Sequence, residues 1–153
     1  MGRTAAAAPD DRTLVLSRHF AAPPERVWAA WTDPAVLPRW FGPEGFHCVT
    51  HEIDIRVGGQ WIFDMIGHGM TFPNRHRYLE LTPHSRIHFL MDGNGDSGEP
   101  KDVTVTLTPR DGGTDLRQVM VFPSVAEKEE AESYHAVELG QTTLAKLAAA
   151  LGE

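Results

Sequence analysis

Apolar and polar residues alternate along much of this chain. "TLVLSRHF" (13–20) places Leu14, Leu16, Arg18 and Phe20 on one face, the period-two pattern of a strand. The period changes in "APPERVWAAWTDP". Prolines stand at its entry, where a missing N–H is tolerated, and Val27, Trp28 and Trp31 are its apolar positions, so a helix is predicted. Asp33-Pro34 ends that helix and opens a shorter one, "PAVLPRWF", in which Leu37, Trp40 and Phe41 fall at i, i+3 and i+4. Gly42-Pro43 stops it. Alternation then returns in six runs, at 46–59, 60–67, 75–83, 86–93, 101–109 and 114–122. The connectors "HGM", "PHS", "GNGDSGEP" and "RDGG" are rich in Gly, Pro, Asn and Asp, as hairpin loops are. Strands joined without long crossovers predict an antiparallel meander.

The last segment changes period again. Ser124 with Glu127 is a capping box, and Tyr134, Val137, Leu144, Leu147, Ala148 and Leu151 form one stripe at helical spacing. One helix of about 25 residues, roughly 38 Å long, is expected. Gly140 within it costs about 1 kcal/mol against alanine. Its missing side chain either lets the helix approach the sheet or leaves room for a ligand. The order strand, two short helices, six strands, long helix is that of an α+β fold. A curved antiparallel sheet wraps the helix, and the short helices close one end. Trp40 is expected to be buried beneath that closure and Phe41 to lie nearer the cavity mouth. Residues 1–11 read as a frayed tail and 12–152 as a single domain.

Composition narrows the function. The 153 residues are 41% hydrophobic and 23% charged, with a net charge of −7, as in an ordinary soluble globular protein. The basic residues are dispersed, so neither nucleic acid nor an anionic membrane is an expected partner. A single cysteine, Cys48, excludes an intrachain disulfide and a cysteine-based zinc site. Its apolar strand context reads as core or interface rather than nucleophile. No apolar run approaches the ~20 residues of a membrane span, so no membrane insertion is expected. "MGRTAAAAPDDR" is too weakly apolar for a signal peptide. A reduced cytoplasmic setting and a monomer or weak homodimer are expected.

Motifs that carry chemistry are few. "GNGDSG" (93–98) matches G-x-G-x-x-G, but Pro100 and a strand pattern follow it where a phosphate-binding helix is required. Asp92, Asn94 and Asp96 have calcium-loop spacing, but Ser97 and Val103 occupy the positions that need Gly and Glu. His47 and His51 share a strand face roughly 13 Å apart, too far to chelate one ion. No metal and no other cofactor is expected. Polar residues on apolar faces are better clues. Arg18 sits among Leu14, Leu16 and Phe20, and Gln118 among Leu116, Met120 and Phe122. A buried Arg18 would need a carboxylate partner or would anchor an anionic or carbonyl-bearing ligand.

"RHFAAPPERVWAAWTDPAVLPRWFGPEGF" resembles the opening signature of the family named after the activator of the ninety-kilodalton heat-shock protein's ATPase, within the START-like, or SRPBCC, superfamily. "IDIRVGGQW", "YLELTPHSRIHF" and "GTDLRQVMVF" resemble its later motifs in the expected order. The similarity covers roughly residues 12 to 150. Gly140-Gln141 stands where the family often has Gly-Trp, and His76 where it commonly has glycine. The resemblance implies a helix-grip fold with an internal hydrophobic cavity between sheet and long helix. Candidate wall residues are then Arg18, Trp61, Phe63, Met65, His76, Tyr78, His88, Gln118 and Met120 on strands. The lid would give Trp40 and Phe41, and the long helix Tyr134, Val137 and Gln141. Binding of a small hydrophobic molecule is the leading expectation. The alternatives are a cyclase or dehydratase-type enzyme and a protein-interaction module that stimulates the heat-shock chaperone. For the enzyme, His76, Tyr78, His88, Tyr134 and His135 are the candidate acid–base groups, and a hydrogen-bonded pair facing the cavity would favour it.

Overall fold

The computed structural model describes residues 11–95 and 99–153. Residues 1–10, within the expected tail, and 96–98, at the centre of the expected 93–100 loop, lie outside the described residues. Seven strands form one antiparallel sheet: β1 (Thr13–Phe20), β2 (Phe46–Ile53), β3 (Gln60–Gly67), β4 (Met70–Thr82), β5 (Arg86–Asp92), β6 (Lys101–Arg110) and β7 (Gly113–Val121). Their order is β1-β7-β6-β5-β4-β3-β2, so the first strand closes the meander against the last. Helices α1 (Pro24–Thr32) and α2 (Leu37–Trp40) follow β1, and α3 (Val125–Ser133) and α4 (Ala136–Ala150) follow β7. This is the α+β helix-grip fold.

The alternation read from the sequence becomes two faces. Trp61, Phe63, His76, Tyr78, Ile87, Phe89, Val103, Val105, Leu107 and Leu116 are all buried on the inner face. Register shifts at Thr50/Glu52 and Tyr78/Glu80 bend β2 and β4, the local device by which sheets curve.

Two strand boundaries differ from the sequence reading by more than a residue, each for a local reason. Strand β2 stops at Ile53, not at 59. Residues 54–59 fold into a tight turn in which a Cβ on Gly59 would lie 2.2 Å from the Asp54 carbonyl oxygen. Strand β4 begins at Met70, not at 75. His68 and Gly69 both have positive φ, at 52° and 76°, so the turn has only two residues and pairing resumes at once as Gly67↔Met70.

The last helix is two helices, not one of about 25 residues. Ser124 does cap α3: its hydroxyl accepts from the Glu127 N–H at 3.1 Å, the serine half of the expected capping box. Helix α3, "VAEKEEAES", has no buried residue. With no apolar stripe to hold it on the sheet, the chain turns at Tyr134 and at His135, which is left-handed at φ 62°. Helix α4 then carries Leu144, Leu147 and Ala148 into the core. Tyr134 is therefore 67% exposed and not part of the apolar stripe.

This break makes a testable ordering. A β-branched residue in the left-handed region is strained, whereas glycine is not. His135→Val is expected to lower stability by about 1–2 kcal/mol, and His135→Gly to leave it equal or higher. In a continuous helix the order reverses, because glycine is then the worse of the two. Thermal melts of both variants decide it.

Candidate functional site

The closure begins with α2. Leu37 is buried, and Trp40, 2% exposed, lies edge-on to Trp31 with ring centroids 4.9 Å apart. The Trp40 indole N–H donates to the Ala30 carbonyl at 3.0 Å, which pins α2 to α1. Phe41 then leaves the helix in extended conformation, half-buried, and Gly42 follows at φ 99°, a region that L side chains rarely adopt. The Phe46 N–H closes the corner onto the Pro43 carbonyl at 3.1 Å.

Helix α4 holds this corner from the other side. The Lys146 ammonium donates to the carbonyls of Gly42 at 3.0 Å and Phe46 at 3.2 Å, with Pro43 at 3.5 Å. The Glu44 N–H donates to the Thr142 hydroxyl at 3.0 Å. Hydrogen bonds from a charged donor are among the stronger ones.

At its start α4 rests on β1. A Cβ added to Gly140 would lie 2.4 Å from Leu16 Cδ1, so the glycine permits the close approach. Resting on β1 at one side and on the α2 corner at the other, α4 spans a gap above the intervening strands. The gap is a cavity of about 220 Å³. Its floor is Leu16, Met65, Phe89, Met91, Val103 and Met120, with Asn74 and Gln118 as polar members. Phe41, Gly42 and Pro43 form the lid side, and Ala136, Leu139, Gly140 and Thr143 the helix side. A smaller space of about 40 Å³ shares Leu16, Gln118, Met120 and Ala136 and adds Leu14 and Val137.

The candidate residues fall into three groups. Phe41, Met65, Gln118 and Met120 line the cavity, and Val137 the smaller space. Trp40, Trp61, Phe63, His76 and Tyr78 lie behind the wall as packed core, with Trp61 and Phe63 stacked at 3.7 Å. Four candidates lie elsewhere. Arg18 is exposed rather than buried, because β1 is an edge strand with water beside it. Its guanidinium carbon lies 5.7 Å from the Phe20 ring centroid, and it borders a separate open groove with Ser17, His19, Arg110 and Arg117. His88 is on the other face of β5 from Phe89 and meets the Asp102 carboxylate at 2.9 and 3.0 Å. Tyr134 and Gln141 are exposed. Asn74 is not legible in the sequence pattern, because the expected strand begins at 75 whereas β4 begins five residues earlier, at Met70. Phe89, Met91 and Val103 share the inner-face alternation and were legible in it.

The buried titratable groups are held uncharged. Burial lowers the His76 pKa from 6.5 to about 3, with the nearby Asp92 charge opposing weakly, so the imidazole is neutral. Burial raises the Tyr78 hydroxyl above its ordinary value. Burial pushes the Cys48 thiol up to about 11 against the Lys146 charge, and its Sγ–H points to the Phe41 carbonyl at 3.3 Å. It is a packing thiol, not a nucleophile. Burial alone would raise Asp92, but hydrogen bonds from Arg75 and the Asn94 N–H, with the Arg75 and Arg77 charges, leave it below the usual carboxylate range. The first carboxylate of the calcium-like spacing, Asp92, is thus already engaged by two arginines, and Asp96 lies outside the described residues. No hydrogen bond joins any two of His76, Tyr78, His88, Tyr134 and His135. Among the described residues, no three His, Cys, Asp or Glu side chains converge as a metal site, and no helix is long and apolar enough to cross a membrane.

Residues 21–152 match the family model described as Activator of Hsp90 ATPase homolog 1-like protein. The chain belongs to this family. It is similar to the crystal structure of a protein from Chromobacterium violaceum, at 38% identity and a TM-score of 0.75, covering 90% of this chain and 95% of that one. It is also similar to a protein from Rhodobacter sphaeroides, at 26% identity and a TM-score of 0.81, covering 93% of each chain. It is similar as well to the crystal structure of an AHSA1 protein from Silicibacter pomeroyi, at 26% identity and a TM-score of 0.75, covering 92% of this chain and 97% of that one. No curated protein matches this chain.

Two outcomes follow from this corner and its core. Trp40→Ala is expected to cost about 3–5 kcal/mol, and Phe41→Ala clearly less, in denaturant unfolding. Phe41→Ala should instead change how an apolar dye enters. The second outcome concerns pH. His76 binds a proton in the unfolded chain near pH 6.5 but not in the native one until about pH 3. Its contribution is therefore complete above pH 6.5 and falls by about 1.4 kcal/mol per unit as pH drops through that window. His76→Phe should flatten this part of the stability–pH curve, and an unchanged slope would show that His76 is accessible to protons.

Proposed function

We propose that this protein binds a small, mostly apolar molecule in the cavity between its sheet and α4. The observation that carries this reading is the cavity itself: about 220 Å³ walled by methionine, leucine, valine and phenylalanine side chains. A well-packed interior has few voids larger than a water molecule. An apolar cavity of ~150 Å³ takes up benzene. The space here therefore suits a single ring with a short substituent. Asn74 and Gln118 are the polar groups on the wall that would orient it. Phe41 and Gly42 line the lid side of the cavity, and on this reading the lid corner governs entry.

The test is occupancy. An environment-sensitive apolar dye is expected to bind, and Met120→Trp, which fills the floor, should weaken it by about tenfold, a difference of ~1.4 kcal/mol. Dye binding that survives Met120→Trp unchanged would place the dye elsewhere and overturn the reading.

A further inference from the structure

Two polar atoms behind the cavity wall lack partners. His76 is 1% exposed and Tyr78 3% exposed. Neither the His76 Nε2 nor the Tyr78 hydroxyl makes a hydrogen bond. Leaving a buried polar atom unpaired is unfavourable, and nearly all such atoms in native proteins find a partner. Both residues lie on β4, two positions apart and hence on one face, in line with Asn74 of the cavity wall. Two rings separate them from the cavity. The His76 ring stacks on Phe89 at 4.4 Å and meets Phe41 edge-on at 5.0 Å, and Phe41 and Phe89 both line the cavity. Phe89 is buried in the sheet. Phe41 is half-buried at the end of α2 and belongs to no strand; its ring is held edge-on by Trp31, Trp61 and Phe63, so opening the way means giving up those ring contacts while the sheet backbone stays in place.

We propose that His76 and Tyr78 form a polar subsite, reached past Phe41, that receives the hydroxyl group of a neutral aromatic molecule. The proposal rests on the binding function above and supplies its ligand class. A hydroxyl is the group that fits, because it both donates and accepts. It can donate to an imidazole nitrogen while accepting from a phenol. A carboxylate does not fit: the subsite offers it no cation, and an unpaired buried charge is strongly unfavourable. The neutral imidazole described above agrees with this. Aromatic walls and a ring-sized space favour an aromatic frame.

Phenol and toluene test it, since they differ by a hydroxyl in place of a methyl. A purely apolar site favours toluene, because an unpaired hydroxyl is costly to bury. Dissociation constants are measured by NMR titration of the full chain. The unsubstituted protein is expected to bind phenol more tightly than toluene. Tyr78→Phe and His76→Phe are each expected to weaken phenol by about tenfold while leaving toluene within about twofold, the signature of one lost hydrogen bond. Tyr78→Phe removes a single oxygen, so the test stands even where His76→Phe fails to fold. If toluene binds as tightly as phenol, or if Tyr78→Phe leaves the phenol affinity unchanged, the subsite is wrong and the cavity reading stands. If neither compound binds, the cavity reading fails and the subsite with it.

Discussion

The Lys146 ammonium, partly buried on α4, donates to the backbone carbonyls of Gly42 and Phe46 on the corner that follows α2. Those carbonyls are not free to turn elsewhere. Gly42 is held in the left-handed region, the Phe46 N–H is bound to Pro43, and the Trp40 indole is bound to α1. The ammonium therefore meets a preformed set of acceptors and fixes where α4 ends its crossing. At its other end α4 is set by the contact of Gly140 with Leu16. A helix fixed at two edges cannot settle onto the floor between them. The cavity is the space this leaves.

The polar groups around the cavity are distributed by the same constraint. The outer sheet face carries pairs such as Arg75–Asp92, Arg77–Asp92 and His88–Asp102, which satisfy their charges without reference to the interior. The inner face carries neutral groups. His76 and Tyr78 are among aromatic rings, where a charge would be costly, and they remain unpaired. A core built only for stability would have no use for them at that depth. Their place beside a cavity wall is what ties the packing of the sheet to the proposed binding.

Much of this was legible in the sequence, because strand alternation and turn residues are local signals. All seven strands, the two short helices and the burial of Trp40 follow from them. What was not legible depends on tertiary context. The break at Tyr134–His135 arises because α3 lacks an apolar stripe, yet its composition alone favours a helix, so the two helices read as one. Arg18 reads as an inner-face residue, and only the strand order shows that β1 is an edge. Trp61 and Phe63 read most simply as core, but core and cavity wall are the same sheet face, so the two readings overlap. The choice between those is made by how far α4 stands from the sheet, which no local pattern encodes.

Three methionines on the cavity floor give the decisive readout. With carbon-13 in the methionine methyl groups, toluene is titrated and each methyl resonance followed. The cavity requires Met65, Met91 and Met120 to shift together with one dissociation constant, while Met70, 54% exposed at the start of β4, stays in place. Unmoved resonances for Met65, Met91 and Met120, or a Met70 shift as large as theirs, would contradict a binding cavity between the sheet and α4.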